Sequence, residues 1–235
     1  MIKNVRVIIV KTVVLHGQSH KGSTYHITRM LLDRLEGPEN EVTEFQTNNL
    51  SSCTGCFTCI LKDEHLCPHR DAVQPVIQAI ENADVVIAES PNYCMGMSGQ
   101  LKTFFDHMSY RWMAHRPHPA MRGKIGVAIS TTAGVGAAKT AKSIKQQMFW
   151  WGIPKIYFIS QAVAASSWAD VKPKIKDSLT AKADRLADKL LRKVGRVKPG
   201  FKSRFMFQIM KMQQKGSAWN PVDRKHWQDN GWIRT

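Results

Sequence analysis

The sequence predicts an α/β protein: a doubly wound, five-stranded parallel sheet with helices on both faces. Three observations predict it. Strand-like and helix-like segments alternate five times over residues 1–195, the order that parallel pairing with crossover helices requires. The runs ADVVIA (83–88) and KIGVAIST (124–131) read as strands buried on both faces. Hydrophobic residues make up 43% of the 235 and charged residues 22%, the balance of a chain able to bury a real core.

The elements follow in order. Residues 5–15 are rich in β-branched side chains and form the first strand. After the loop 16–24, Tyr25, Ile27, Met30, Leu31 and Leu35 recur near helical spacing, and Gly37-Pro38 ends that helix. A second strand spans 41–47, and the cysteine-bearing segment 51–70 reads as a loop. A helix begins near Asp71 and carries Val73, Val76, Ile77 and Ile80 on one face. The third strand leads into Ser90-Pro91-Asn92-Tyr93, and a helix covers 98–109. The fourth strand is followed by a glycine-containing loop and by a helix to Trp151, stopped by Gly152 and Pro154. Residues 155–161 form the fifth strand and 170–194 a long basic amphipathic helix.

Residues 196–235 differ in character and are expected to form an extension beside the domain 1–195. From Gly195 onward there are nine Lys or Arg and two acids, with Phe201, Phe205, Phe207, Trp219, Trp227 and Trp232 among them. Disordered segments rarely carry so many aromatics. The extension is expected to fold back onto the domain or a partner subunit, or its stretch 201–212 to lie on a membrane surface. The net charge is +16. No nucleic-acid fold motif accompanies it, so we read a solvated basic surface that also attracts phosphate-bearing cofactors. No run reaches the ~20 apolar residues of a membrane helix, and no signal-peptide pattern opens the chain. A cytoplasmic protein is expected.

In an open parallel sheet, ligands bind beyond the carboxyl ends of the strands, where strand order reverses. Three loops follow strands one, three and four. In the first, Gln18, His20 and Lys21 offer side-chain donors, Ser19, Ser23 and Thr24 hydroxyls, and Gly22 a close backbone approach, all at a helix start that favours phosphate. In the second, Pro91, Asn92, Tyr93, Cys94 and Gly96 present an aromatic beside backbone amides, suited to a planar ring. The third, Thr131, Thr132, Ala133 and Gly134 through Gly136, is small and glycine-rich.

The cysteines add a separate chemistry. Cys53-x2-Cys56-x2-Cys59, with Cys67 preceding Pro68, is a compact four-thiolate spacing. Zinc more often uses two separated pairs, so a [4Fe–4S] cluster is the better metal reading. The alternatives are buried thiols or a redox-sensitive pair. The fifth cysteine, Cys94, is separate from these four, and its loop suggests burial near the planar ring that the loop suits, not ligation.

These motifs resemble the NADPH-dependent FMN reductase family of flavodoxin-like proteins, especially its iron-sulfur flavoprotein branch. The carriers are GQSHKGST (17–24), SPNY (90–93) followed by GQLKTFFD (99–106), and the loop 131–136. Gln18 and His20 stand where the family often has Ser and Arg, and His107 where it often has Arg. The resemblance implies FMN in the three loops, NADH or NADPH as co-substrate, and a quinone, flavin, nitroaromatic or similar acceptor. It implies a homodimer or tetramer as well. If the cluster is present, single electrons pass between an acidic ferredoxin-like carrier and a two-electron acceptor. A non-enzymatic flavin- or redox-sensing role is the third reading. The stretch 110–118 is a candidate pocket wall, with Arg116 expected to contact the nicotinamide nucleotide, or a loop packing on a neighbouring subunit.

Overall fold

A computed structural model describes residues 9–35, 37, 40–216 and 219–234. Its strands are β1 (Lys11–His16), β2 (Glu41–Gln46), β3 (Val85–Pro91), β4 (Ile125–Thr132) and β5 (Lys155–Ala162). All pair in parallel, in the order β2-β1-β3-β4-β5. This is the flavodoxin-like arrangement, with strand order reversing between β1 and β3. Residues 5–8 of the expected first strand lie outside the described residues.

The helices are α1 (Ser23–Leu35), α2 (Thr58–Leu61), α3 (Arg70–Asn82), α4 (Gly99–His107), α5 (Ala137–Trp150), α6 (Pro173–Lys193), α7 (Phe201–Gly216) and α8 (Pro221–Asp229). Side chains alternate across a strand, and both sheet faces are covered. Val13, Leu15, Val86 and Ala88 pack with Ile77, Phe104, Ile144 and Trp151 beneath α3, α4 and α5. Val14, Val85, Ile87 and Val127 pack with Ile27, Leu31, Leu186 and Leu190 beneath α1 and α6. This explains why the central strands read as unbroken apolar runs, while the edge strand β2 alternates only between exposed and half-buried.

Two expectations are refined. The cysteine segment is not loop throughout: α2 and a 3-10 turn at Glu64–Leu66 lie within it. The extension folds back onto its own chain, where Met113, Met210, Trp227 and Ile233 form a third core. Trp227 is fully buried and its Nε1 donates to the His115 carbonyl at 2.6 Å. Helix α8 had no sequence-based assignment, although Asn220 caps it and Pro221 opens it.

Candidate functional site

β1, β3 and β4 end at one edge of the sheet, and their exits form one surface. Where the first loop leaves β1 it crosses β3: the Gly17 N–H donates to the Glu89 carbonyl at 2.9 Å. A Cβ on Gly17 would stand 2.6 Å from that oxygen, so no other residue fits unless the backbone shifts.

Beyond Gly17, Ser19, His20 and Lys21 are exposed and Ser23 is half-buried. The Lys21 ammonium sits 5.5 Å from the Tyr25 ring centre. Ser23, Thr24 and Tyr25 form the first turn of α1, whose N–H groups have no acceptor within the helix. No acid occurs between His16 and Tyr25. The donor set therefore suits an anion, and the helix dipole adds to it. The side chains of Gln18 and Thr24 turn inward. Gln18 Nε2 donates to Thr24 Oγ1 at 2.5 Å and to Glu89 Oε2 at 3.2 Å. Gln18 thus braces the loop from beneath, and its side chain is not the outward donor expected from the sequence.

Under this loop lies a charged network the sequence reading missed. His16 Nδ1 lies 3.0 Å from Glu89 Oε1 and Nε2 lies 2.8 Å from Glu44 Oε2. Arg29 reaches the other Glu44 oxygen at 3.1 Å. Burial disfavours charge on His16, but the hydrogen bonds and charges of Glu89 and Glu44 outweigh it and raise its pKa above the ordinary 6.5. A ring with a carboxylate at each nitrogen is best satisfied as an imidazolium. The available signal was Glu89 itself, an acid directly after the apolar run of β3.

The second loop is a two-residue turn closed by mutual hydrogen bonds of 2.9 Å between Tyr93 and Gly96. Both central residues, Cys94 (φ 48°) and Met95 (φ 63°), occupy the left-handed region, where side chains are strained. Tyr93 is exposed. Cys94 is exposed too, on the turn where a bound ring would have to supply its expected burial.

Asn92 ties the second loop to the third. Its Nδ2 donates to the Val135 carbonyl at 3.1 Å, and its Oδ1 accepts from Thr140 Oγ1 at 2.7 Å. Gly136, at φ 104°, packs so closely that a Cβ would be 2.7 Å from Asn92 Nδ2. Pro91, Thr131 and Thr132 belong to the strand ends, so the third loop proper begins at Ala133. Ala133 and Gly134 are exposed and Gly96 half-buried, and a Cβ at Gly134 would meet nothing within 4 Å. The three loops thus leave an open, donor-rich margin above a braced floor.

The cysteine segment is built differently. Cys53 and Cys56 are exposed, and Cys59 and Cys67 half-buried. Burial, together with the neighbouring Cys67, Cys53 and Cys56, pushes the Cys59 thiol up to about 11. The thiols are near enough to influence one another, a donor set of the right chemistry for a cluster. Yet among the described residues no group of three or more His, Cys, Asp or Glu is placed to hold a metal ion. Cys53 and Cys56 lie on irregular backbone, and Cys59 lies on α2, partly buried against the core beneath α3, α4 and α5.

Arg116 is not a pocket wall. It is 3% exposed and donates to the Cys59 carbonyl, to the Ile60 carbonyl at 3.0 Å, to Glu64 at 3.1 Å and to Asp223 Oδ1 at 2.6 Å. Asp223 is fully buried and also meets His115 Nδ1 at 2.7 Å, while Asn220 Nδ2 donates to Ile60 at 3.0 Å. The cysteine segment is therefore clamped from α8, and Arg116 is withdrawn from the nicotinamide role.

Comparison with known proteins agrees with this architecture. The family model for NADPH-dependent FMN reductase matches residues 10–170. An iron-sulfur flavoprotein of Archaeoglobus fulgidus is 29% identical over 184 residues, 77% of this chain and 78% of its own. Among solved structures, an azoreductase from Bacillus anthracis superposes with a TM-score of 0.62 at 13% identity, covering 77% of this chain and all of its own. An FMN-dependent NADH-azoreductase from the same species, in complex with FMN, gives 0.56 at 12% identity, covering 75% and 99%. At such identities the two structures attest the fold.

Proposed function

The chain belongs to the NADPH-dependent FMN reductase family, and on that premise we propose that it holds FMN at the three-loop edge and works as an NAD(P)H oxidoreductase. The observation that carries the reading is the acid-free donor set at the start of α1, facing two further loops across one sheet edge. The first-turn N–H groups of α1, with Ser19, His20 and Ser23, would hold the phosphate. The backbone from Pro91 to Gly96 and from Thr132 to Gly134 would border the ring, with Tyr93 beside it. Bound there, FMN would supply two-electron chemistry between NADH or NADPH and a quinone, flavin, nitroaromatic or similar acceptor. The protein's part is positioning: Gln18 and Asn92 fix the loops, and the exposed margin admits a second reactant.

In this reading residues 1–195 are the flavin domain and 196–235 an extension, and the protein is a cytoplasmic homodimer or tetramer. A second reading, an iron-sulfur flavoprotein serving an acidic electron carrier, rests on the spacing of Cys53, Cys56, Cys59 and Cys67 and on the name of the Archaeoglobus relative. A third, a flavin-sensing protein without turnover, is favoured if neither nicotinamide is oxidised with any acceptor.

The test is titration of the flavin-free chain with FMN, followed by NADPH under nitrogen. Tight binding and bleaching of the flavin bands are expected. Ser23→Glu, which sets a carboxylate where the phosphate would lie, should weaken FMN binding on the order of a hundredfold, since a like charge there costs several kcal/mol. Unchanged affinity removes the site. A broad brown absorbance in protein purified without oxygen selects the second reading.

A further inference from the structure

Helix α7 carries apolar residues on both sides. Its inner side, with Ser203, Met210 and Gln214 buried and Met206 and Phe207 partly so, packs on the extension core. Its outer side leaves Phe201 (79% exposed), Phe205 (55%), Ile209 (37%) and Met212 (69%) in a row. Helical spacing stacks these four along one stripe. It sets Arg204, Lys211 and Lys215 along one flank of the stripe and Lys202 along the other.

The charge is as one-sided as the stripe. From residue 189 to residue 222 the sequence has nine Lys or Arg and no Asp or Glu. Phe201 and Lys202 also line a groove of about 730 Å³ between the end of α5 and the start of β5. Its walls are aromatic (Phe149, Trp150, Phe158), its charges are Lys142, Lys145, Lys155 and Lys202, and no acid lines it. Lys155 opens β5, so this surface lies at the sheet edge opposite the three loops.

The geometry points to α7 and this groove as a docking surface for an anionic lipid bilayer. The four apolar side chains enter the headgroup boundary, the flanking cations meet lipid phosphates, and the lysine-lined groove accepts a headgroup beside Phe201. A cationic helix lying in the interface plane with its apolar side down binds in this way, and each Lys or Arg near an anionic surface adds attraction. A soluble partner would need an acidic surface that also presents a long apolar ridge. An anionic bilayer supplies both everywhere, and the three-loop edge stays free. No described helix is long and apolar enough to cross a membrane, so the contact is peripheral.

The experiment is co-sedimentation of the full chain with phosphatidylcholine vesicles and with vesicles containing phosphatidylglycerol, at low and high salt. We expect binding to the anionic vesicles at least tenfold tighter than to the zwitterionic ones, and weakened by salt. The double variant Lys202→Ala, Arg204→Ala should lose roughly twentyfold, given the attraction each charge near the surface contributes. Phe201→Ser, Phe205→Ser should lose about tenfold or more, with the helical circular dichroism of the wild type, because both rings are exposed. Three results overturn the proposal. The first is no binding to either vesicle. The second is a loss with the charge variant but none with the phenylalanine variant, which means attraction to any polyanion. The third is a dimer in light scattering that the phenylalanine variant dissociates, which makes a second copy the occupant.

Discussion

The three-loop edge and the cysteine segment both carry chemistry, but they are held by different means. Each loop at the edge continues directly from a central strand, and its braces come from the strands and helices beside it: Gly17 on Glu89, Gln18 on Glu89, Asn92 on Val135 and Thr140. The cysteine segment has only one buried hydrophobic anchor of its own, Ile60. It borrows order from Arg116 and from Asn220 and Asp223 of α8, the last of these 107 residues from Arg116. The edge is a product of the sheet, whereas the cysteine segment is a product of the extension. Substitutions should therefore separate them.

The largest separation is expected at Asp223. It is fully buried and carries both Arg116 and His115. Asp223→Ala removes the fully buried one of the two carboxylates that pair with Arg116, leaving Glu64 alone at 3.1 Å, and should cost about 3 kcal/mol, the low end for breaking a buried ion pair. Urea unfolding measures that loss, and thiol labelling of Cys59 should speed up as α2 loses its clamp. FMN affinity should stay within a few-fold of wild type. If Asp223→Ala does not fold, Asp223→Asn, which keeps one acceptor for Arg116, serves the same comparison. A parallel collapse of FMN binding would break the division between the two regions.

The same division decides what was legible in the sequence. The sheet, its order of elements and the three loops follow from local periodicity: the apolar runs of β3 and β4, the helical spacing from Tyr25 to Leu35, and loops whose glycines and hydroxyls sit where a strand meets a helix. Arg116 misled because its neighbours Tyr110, Trp112 and His118 look like a pocket wall in one dimension. Its true partners, Cys59, Ile60, Glu64 and Asp223, are dispersed along the chain. His16, Glu44 and Glu89 were invisible as a group for the same reason, since they meet only when β2, β1 and β3 align in register. The left-handed φ of Cys94 is likewise not written in its residue type.

A middle-sized effect belongs to the floor of the edge. His16 has its pKa raised in the folded chain because Glu89 and Glu44 outweigh its burial. Its stabilising contribution is therefore complete below the ordinary value of 6.5 and is lost as pH rises from there through the folded value. Stability should fall over that window by at most ~1.4 kcal/mol per pH unit from this residue. The measurement is urea unfolding from pH 6 upward for the wild type and for His16→Gln. The difference between the two curves should shrink with rising pH; a constant difference would mean that His16 titrates alike in the folded and unfolded chains, and a difference that grows would mean that it is held neutral in the fold.

The smallest effect sharpens the comparison most, because it separates strain from support within the edge itself. Met95 holds φ 63° directly after Cys94 at φ 48°, in a turn closed by Tyr93 and Gly96. A side chain in the left-handed region costs about 1–2 kcal/mol, and glycine gives back part of that relief through its greater freedom when unfolded. Met95→Gly should therefore stabilise the fold by roughly 0.5–1 kcal/mol. If the strained turn is kept because it presents Tyr93 and its neighbouring amides to FMN, the same variant should bind FMN more weakly, by less than about tenfold, since a flexible loop must be ordered on binding. Unfolding and FMN titration of one variant test both halves. A gain in stability with no loss of affinity would mean that the strain serves packing alone. A loss in both would mean that the side chain of Met95, 45% exposed, makes contacts of its own with the fold and with FMN.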